Sequence, residues 1–165
     1  MRGILAKVFL LCLLPTFGLA QGNDATPAEF SFAGGPILPN LIPEMDEIVQ
    51  IGGLRYKFAN SPVELSAYNG NGSDISYNNF SLGARGNIPI DGGMVALAYV
   101  GLDYHYYQPS NGADYLHGTG GHIGGGLMTY VGGKVWFRTE MKFNLNPGTA
   151  LFIGFGFNFV FDDKK

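Results

Sequence analysis

GGKVWFRTEMKFNLNPGTALFIGFGFNFVF, residues 132–161, sets a dense charge cluster beside the most apolar run of the chain. Arg138, Glu140 and Lys142 recur at every second position, with Phe137, Met141 and Phe143 on the alternate positions. After NPG, the residues Leu151, Ile153, Phe155, Phe157, Phe159 and Phe161 alternate with Phe152, Gly154, Gly156, Asn158 and Val160. A period of two belongs to a β-strand, whose successive side chains point to opposite faces. The first strand therefore separates charge from Phe, and the second puts six large apolar side chains on one face. The interior of a small soluble barrel is narrow and packed to native density, and would struggle to take six such residues from one strand. Lipid accepts them, so the stretch favours a barrel with apolar residues outward and charge inward.

The same alternation extends backwards. In residues 48–58, Gly53, Arg55 and Lys57 oppose Leu54, Tyr56 and Phe58; in 62–69, Glu64, Ser66 and Tyr68 oppose Val63, Leu65 and Ala67. In 79–88, Asn79, Ser81, Gly83, Arg85 and Asn87 oppose Phe80, Leu82, Ala84, Gly86 and Ile88. In 95–106, Tyr99, Gly101, Asp103 and His105 oppose Ala98, Val100, Leu102, Tyr104 and Tyr106. Strands are expected at 27–35, 48–58, 62–69, 75–88, 93–106, 119–130, 133–144 and 149–161, bounded by Gly, Pro, Asn and Asp. The first is the weakest, because EFSFAG is short and Pro-rich sequence follows it. The Gly-rich segment 119–130 leaves its facing open between odd Ile123 and Leu127 and even Met128 and Tyr130.

The connections GPILPNLIPEMDE, NGNGSD, YQPSNGADYLHG and NPG with its flanks alternate with tight NSP, PIDGG and VGG. Longer loops at one end and tight turns at the other are typical of transmembrane barrels. Aromatics support an interface belt: Tyr56, Phe58, Phe159 and Phe161 near the tight-turn end, Tyr104, Tyr106 and Phe143 near the other. The expected fold is all-β, a single eight-stranded antiparallel up-and-down transmembrane β-barrel.

Residues 1–20 differ in kind: Arg2 and Lys7 precede VFLLCLLPTFGLA, with Gly18 and Ala20 placed for cleavage before Gln21. This reads as a secretory signal peptide, since the apolar run is broken by Pro15 and Gly18 well short of the ~20 residues of a spanning helix. Residues 21–161 then form the barrel domain, and 162–165 a charged tail. Cys12, the single cysteine, would leave with the peptide, so neither a disulfide nor a thiolate site is expected. The remaining residues hold eight Lys and Arg against thirteen Asp and Glu, a net charge of −5, which argues against nucleic-acid binding.

GGHIGGGLMTYVGGKVWFRTEMKF followed by LFIGFGFNFVF resembles the penultimate hairpin and last strand of the small outer-membrane β-barrel proteins of the OmpA-like and OmpX-like kind, within the porin family in the broad sense. VQIGGLRYKF is similar to their second strand. The resemblance covers roughly residues 48–161. It implies export to the periplasm, contact with periplasmic chaperones, insertion by the barrel assembly machinery into the lipid of a Gram-negative outer membrane, and a monomeric barrel. Gly156, Phe159 and Phe161 are similar to the insertion signal of these proteins, although Asp162, Asp163, Lys164 and Lys165 follow where the family commonly ends.

Inward-facing candidates are Arg55, Lys57, Glu64, Arg85, Asp103, Arg138, Glu140 and Lys142, read as a hydrogen-bonded plug because buried charges need partners merely to exist there. No nucleophile sits at triad spacing, no cofactor motif is present, and His105, His117 and His122 match no compact metal motif, so no catalytic, cofactor or metal residues are assigned. The function expected is a non-enzymatic outer-membrane barrel with a structural, surface-interaction or adhesion-like role. Two alternatives stay open. Some eight-stranded outer-membrane barrels of this size deacylate lipid A with a His, a Ser and an orienting Glu on an outward face, and HYYQPSNG offers His105 and Ser110, with Glu140 as the acid. A secreted soluble barrel would instead line an apolar cavity with Phe155, Phe157 and Phe159.

Overall fold

The computed structural model describes residues 26–39, 48–73, 75–109, 116–145 and 150–161. The proposed signal peptide, Cys12 and the tail after Phe161 lie outside these. Eight strands follow one another: β1 Ala28–Pro39, β2 Val49–Lys57, β3 Val63–Asn71, β4 Ile75–Ile90, β5 Met94–Pro109, β6 Leu116–Gly132, β7 Val135–Asn144 and β8 Ala150–Phe161. Each pairs antiparallel with the next, and β8 returns to β1 from Ala28↔Phe161 to Pro39↔Ala150, closing an up-and-down barrel. Closure satisfies the backbone of every strand by its neighbours, as a chain surrounded by hydrocarbon requires.

The alternation decides which face turns inward. On β8, Phe155 and Phe161 are each 51% exposed on the outside, whereas Phe152, Gly154, Gly156 and Asn158 are buried inside. Outward-facing Leu54, Leu65, Phe80, Leu82, Leu102, Ile123, Leu127 and Met141 continue this surface around the cylinder. All nine Asp, Glu, Lys and Arg residues of the strands are buried in the lumen. A soluble barrel would show the reverse, and the exposed Phe155 and Phe157 exclude the cavity that they would have had to line.

Strands β1, β3, β4, β5 and β6 run further than the sequence suggests, while β2, β7 and β8 stop one or two residues short of their expected bounds. β1 includes Gly35–Pro39, which Pro36 and Pro39 disguise as linker; its pairing with β8 is interrupted at Gly35 and Pro36 and resumes in the same register at Ile37↔Phe152. Pro lacks the N–H that a ladder needs, and such an interruption tolerates it. Gly70 and Asn71 extend β3 into NGNGSD, and Gly72 N donates to the Ile75 carbonyl at 2.8 Å; Asp74 lies outside the described residues. Tyr107–Pro109 and Leu116–Gly118 likewise belong to β5 and β6 rather than to the loop between them. At the turn end, Pro89 and Ile90 complete β4, and Val131 and Gly132 complete β6. The β4–β5 turn carries Gly92 and Gly93 at φ 80° and 75°, a left-handed geometry that Gly supplies without a Cβ clash. A register shift between Tyr130 and Gly132 inserts Val131 as a bulge beside the β6–β7 turn.

β6 also shows its facing. His122, Gly124, Gly126 and Met128 point inward, and Ile123 and Leu127 outward. Inward glycines make room for lumenal rings: a Cβ on Gly124 would collide with the Tyr99 ring of the neighbouring β5, and one on Gly154 would lie 2.6 Å from the Phe152 ring of its own strand. Gly124→Val is therefore expected to destabilise the barrel by about 1–3 kcal/mol through overpacking. Urea titration of the refolded protein, followed by gel mobility, measures it; an unchanged midpoint would contradict this lumen packing.

Candidate functional site

The lumen is filled in tiers along the axis. At the loop end, Ile37, Val49, Ile51, Ile75, Tyr77, Tyr107, Ala150 and Phe152 form an apolar plug. At the turn end, Leu97 and Met128, with Val95 and Trp136 against them, close the side formed by β5, β6 and β7. Between them lie two polar clusters.

The cluster nearer the turn end joins three arginines to three glutamates. Glu64 Oε1 accepts from Arg55 at 2.9 Å, and Glu64 Oε2 from Arg85 at 2.6 Å and Arg138 at 3.3 Å. Glu140 accepts from Arg55 at 2.5 Å and Arg138 at 2.9 Å, and Arg85 also binds Glu29. Asn158 donates to Glu29 at 2.9 Å and accepts from Ser31 at 2.6 Å. Tyr68 and Tyr99 complete the surroundings: Arg55 donates to the Tyr68 hydroxyl, and its guanidinium lies 5.2 Å and 5.4 Å from the two ring centres. Guanidinium suits this arrangement because its five donors in a planar fork bridge several carboxylates at once. The cluster is charge-balanced, which a site cut off from water demands.

The second cluster centres on Asp103 and Lys142. Lys142 Nζ lies 2.9 Å from Asp103 Oδ1 and donates at 2.9 Å to both Asn79 Oδ1 and Ser81 Oγ. His122 Nδ1 is 3.0 Å from Asp103 Oδ2, and Ser81 also donates to Asp103. Above them, the Tyr77 hydroxyl meets His105 Nδ1 at 2.7 Å, and His105 stacks on Tyr107. A cavity of about 10 Å³ beside Arg55, Glu64, Tyr99 and His122 is the size of one water.

The sequence-derived charges thus fall into these clusters, except Lys57, which is buried at the turn end without an ion pair among the described residues. Glu29 was missed by sequence reasoning, although EFSFA alternates Glu29, Ser31 and Ala33 with Phe30 and Phe32. Tyr99 OH donates to the Met141 carbonyl at 2.9 Å, so Tyr99→Phe is expected to cost about 1 kcal/mol in the same urea titration; no change would remove that bond from the account.

Among the described residues, His105 and Glu140 are not placed as lipid A deacylation requires. His105 is 1% exposed inside the lumen rather than on the outward face, and Glu140 is bound to two arginines; Ser110 lies outside the described residues. His117 is exposed, apart from buried His105 and His122. No group of three or more His, Cys, Asp or Glu able to hold a metal ion occurs among the described residues. The lipid face carries aromatics toward both ends: Tyr56 and Phe58 pack edge to face at 5.0 Å, and Phe32 lies 5.8 Å from Phe159, while Tyr104 and Phe143 are exposed toward the loop end.

A closed eight-stranded barrel with an uncharged apolar exterior and a salt-bridged lumen is the architecture of small outer-membrane proteins. No protein-family model and no curated sequence matches the chain. Solved structures do. The N-terminal β-barrel domain of Pseudomonas aeruginosa OprF superposes with a TM-score of 0.61 at 18% identity, over 84% of this chain and 100% of that one. Neisserial surface protein A gives 0.63 at 11% identity over 84% and 99%. Ail, the attachment invasion locus protein of Yersinia pestis, gives 0.53 at 12% over 83% and 98%. At these identities the likeness defines the fold, that of a small outer-membrane β-barrel.

Proposed function

We propose that this chain is a non-enzymatic outer-membrane protein with a structural or surface-interaction role, comparable to adhesion, exerted through the connections at its loop end. The supporting observation is the division of charge: every strand charge is spent inside the barrel, while the outside is apolar. Residues 1–20 direct export and are removed near Ala20 and Gln21. Periplasmic chaperones and the barrel assembly machinery then deliver a monomer to outer-membrane lipid, with Gly156, Phe159 and Phe161 as the insertion signal. Gly156 faces the lumen, and Phe159 and Phe161 the lipid, at the turn end of β8.

Loop charge narrows the class of partner. Residues 40–48, 72–74, 110–115 and 145–149 contain Glu44, Asp46, Glu47, Asp74 and Asp114 but no Lys or Arg. Ail has been solved in complex with the heparin analogue sucrose octasulfate. Here a polyanion would meet like charge, so a neutral or cationic partner fits better. Transport of bulk solutes does not suit a lumen occupied by ion pairs and an apolar plug.

Expression of the full chain in a Gram-negative cell tests the reading. Outer-membrane fractions should contain a band whose gel mobility changes on heating, and lipid A acylation should be the same with the wild type, with His105→Ala and without the protein. Recovery wholly in soluble periplasm would refute the membrane assignment. Loss of an acyl chain that depends on His105 would refute the non-enzymatic one.

A further inference from the structure

Lys57 stands directly between Glu29 and Glu64 in the sheet register, as Glu29↔Lys57 and Lys57↔Glu64, yet forms an ion pair with neither. Both carboxylates are engaged elsewhere. Glu29 accepts from Arg85, Asn158 and Asn87, and Glu64 from Arg55, Arg85 and Arg138. Among the described residues the Lys57 ammonium keeps a single long contact, 3.5 Å to the Phe58 carbonyl, although the residue is only 4% exposed. Arg85 adds a second unused donor: its terminal nitrogens bind Glu64 and Glu29, while Nε is buried without an acceptor.

The charge inventory agrees with this local picture. The strands hold five Lys and Arg but four Asp and Glu, all in the lumen, so among the described residues the interior is one negative charge short. A cation withdrawn from water without a counter-charge is strongly disfavoured. Access lies at the turn end, where inward-facing Asn87 is exposed and the apolar closure covers only the opposite side, on β5, β6 and β7.

We propose that the turn-end mouth of the lumen binds one small inorganic anion, chloride or phosphate, on Lys57 Nζ with Arg85 Nε as second donor. The anion completes the charge balance and accepts the charge-assisted hydrogen bonds of Lys57 and Arg85 that no described carboxylate accepts. Its site opens to the side of the membrane that receives the tight turns.

Chloride-35 NMR of the full barrel refolded in a zwitterionic detergent tests this directly. The wild type should broaden the chloride line beyond protein-free detergent, and added phosphate at constant ionic strength should compete the excess away. Lys57→Gln should abolish the excess and Lys57→Arg keep it, and the arginine variant separates a binding loss from a folding loss. Equal broadening by the wild type and folded Lys57→Gln would overturn the site. So would an excess that emerges only when Asp24, Asp162 and Asp163 are replaced by Asn, since the chain's own carboxylates would then fill the position.

Discussion

Arg138→Ala is expected to destabilise the barrel by about 3–5 kcal/mol, the cost of leaving buried partners with an uncompensated charge. Arg138 is 0% exposed and contacts both Glu64 and Glu140, and its guanidinium lies 5.9 Å from the Tyr99 ring centre. Without it the turn-end cluster holds two arginines against three glutamates. Glu140→Ala removes the carboxylate shared by Arg55 and Arg138 and should have an effect of similar size. Because the two residues act as one unit, Arg138→Leu with Glu140→Leu restores charge balance and should cost less than the two single changes added together. Urea unfolding in detergent, with the heat-dependent gel shift as readout, gives all three values. Full heat resistance in both alanine variants would show that the ion pairs contribute nothing to the fold.

Leu102→Arg carries the second large effect, on the opposite face. Leu102 is 55% exposed, pairs with outward Leu82 on β4 and lies well within β5. At the bilayer midplane an outward arginine costs a transmembrane barrel about 2–4 kcal/mol. On a water-facing surface the same exchange stays within about 0.5 kcal/mol. Folding titrations into lipid vesicles measure the difference against Leu102→Ala. A neutral outcome would place Leu102 in water.

What the sequence disclosed follows from periodicity. On β7, Arg138, Glu140 and Lys142 fall opposite Phe137, Met141 and Phe143, and on β8 six large apolar residues share one parity, so strand, facing and barrel type are written in the alternation. On β6, glycine offers no side chain to mark a face, and the inward direction becomes visible in the fold, where the Tyr99 ring occupies the space above Gly124 and His122 of β6 reaches over Gly101 of β5. The second half of β1, beyond the expected 27–35, was hidden for another reason: Pro36 and Pro39 resemble a linker, although the ladder to β2 carries Pro36 opposite Gln50. Glu29, in the expected first half of that strand, was left out of the inward charges, and with it one of the two partners of Arg85. Pairing within the lumen was not legible at all, because it joins residues as distant as Arg55 and Glu140 through barrel closure and stagger. Alternation tells which side a charge faces; only the closed barrel tells what it meets.

The central claim, that the apolar face of this barrel meets lipid, is tested most directly by one fluorescence measurement. Trp136, the only tryptophan, lies against the lumenal group of Leu97 and Met128, and replacing it by Phe clears the background. A tryptophan introduced as Leu102→Trp in that chain, folded into vesicles whose acyl chains carry bromine, should be strongly quenched relative to unbrominated vesicles. Folded protein whose fluorescence is indifferent to the bromine would contradict the account.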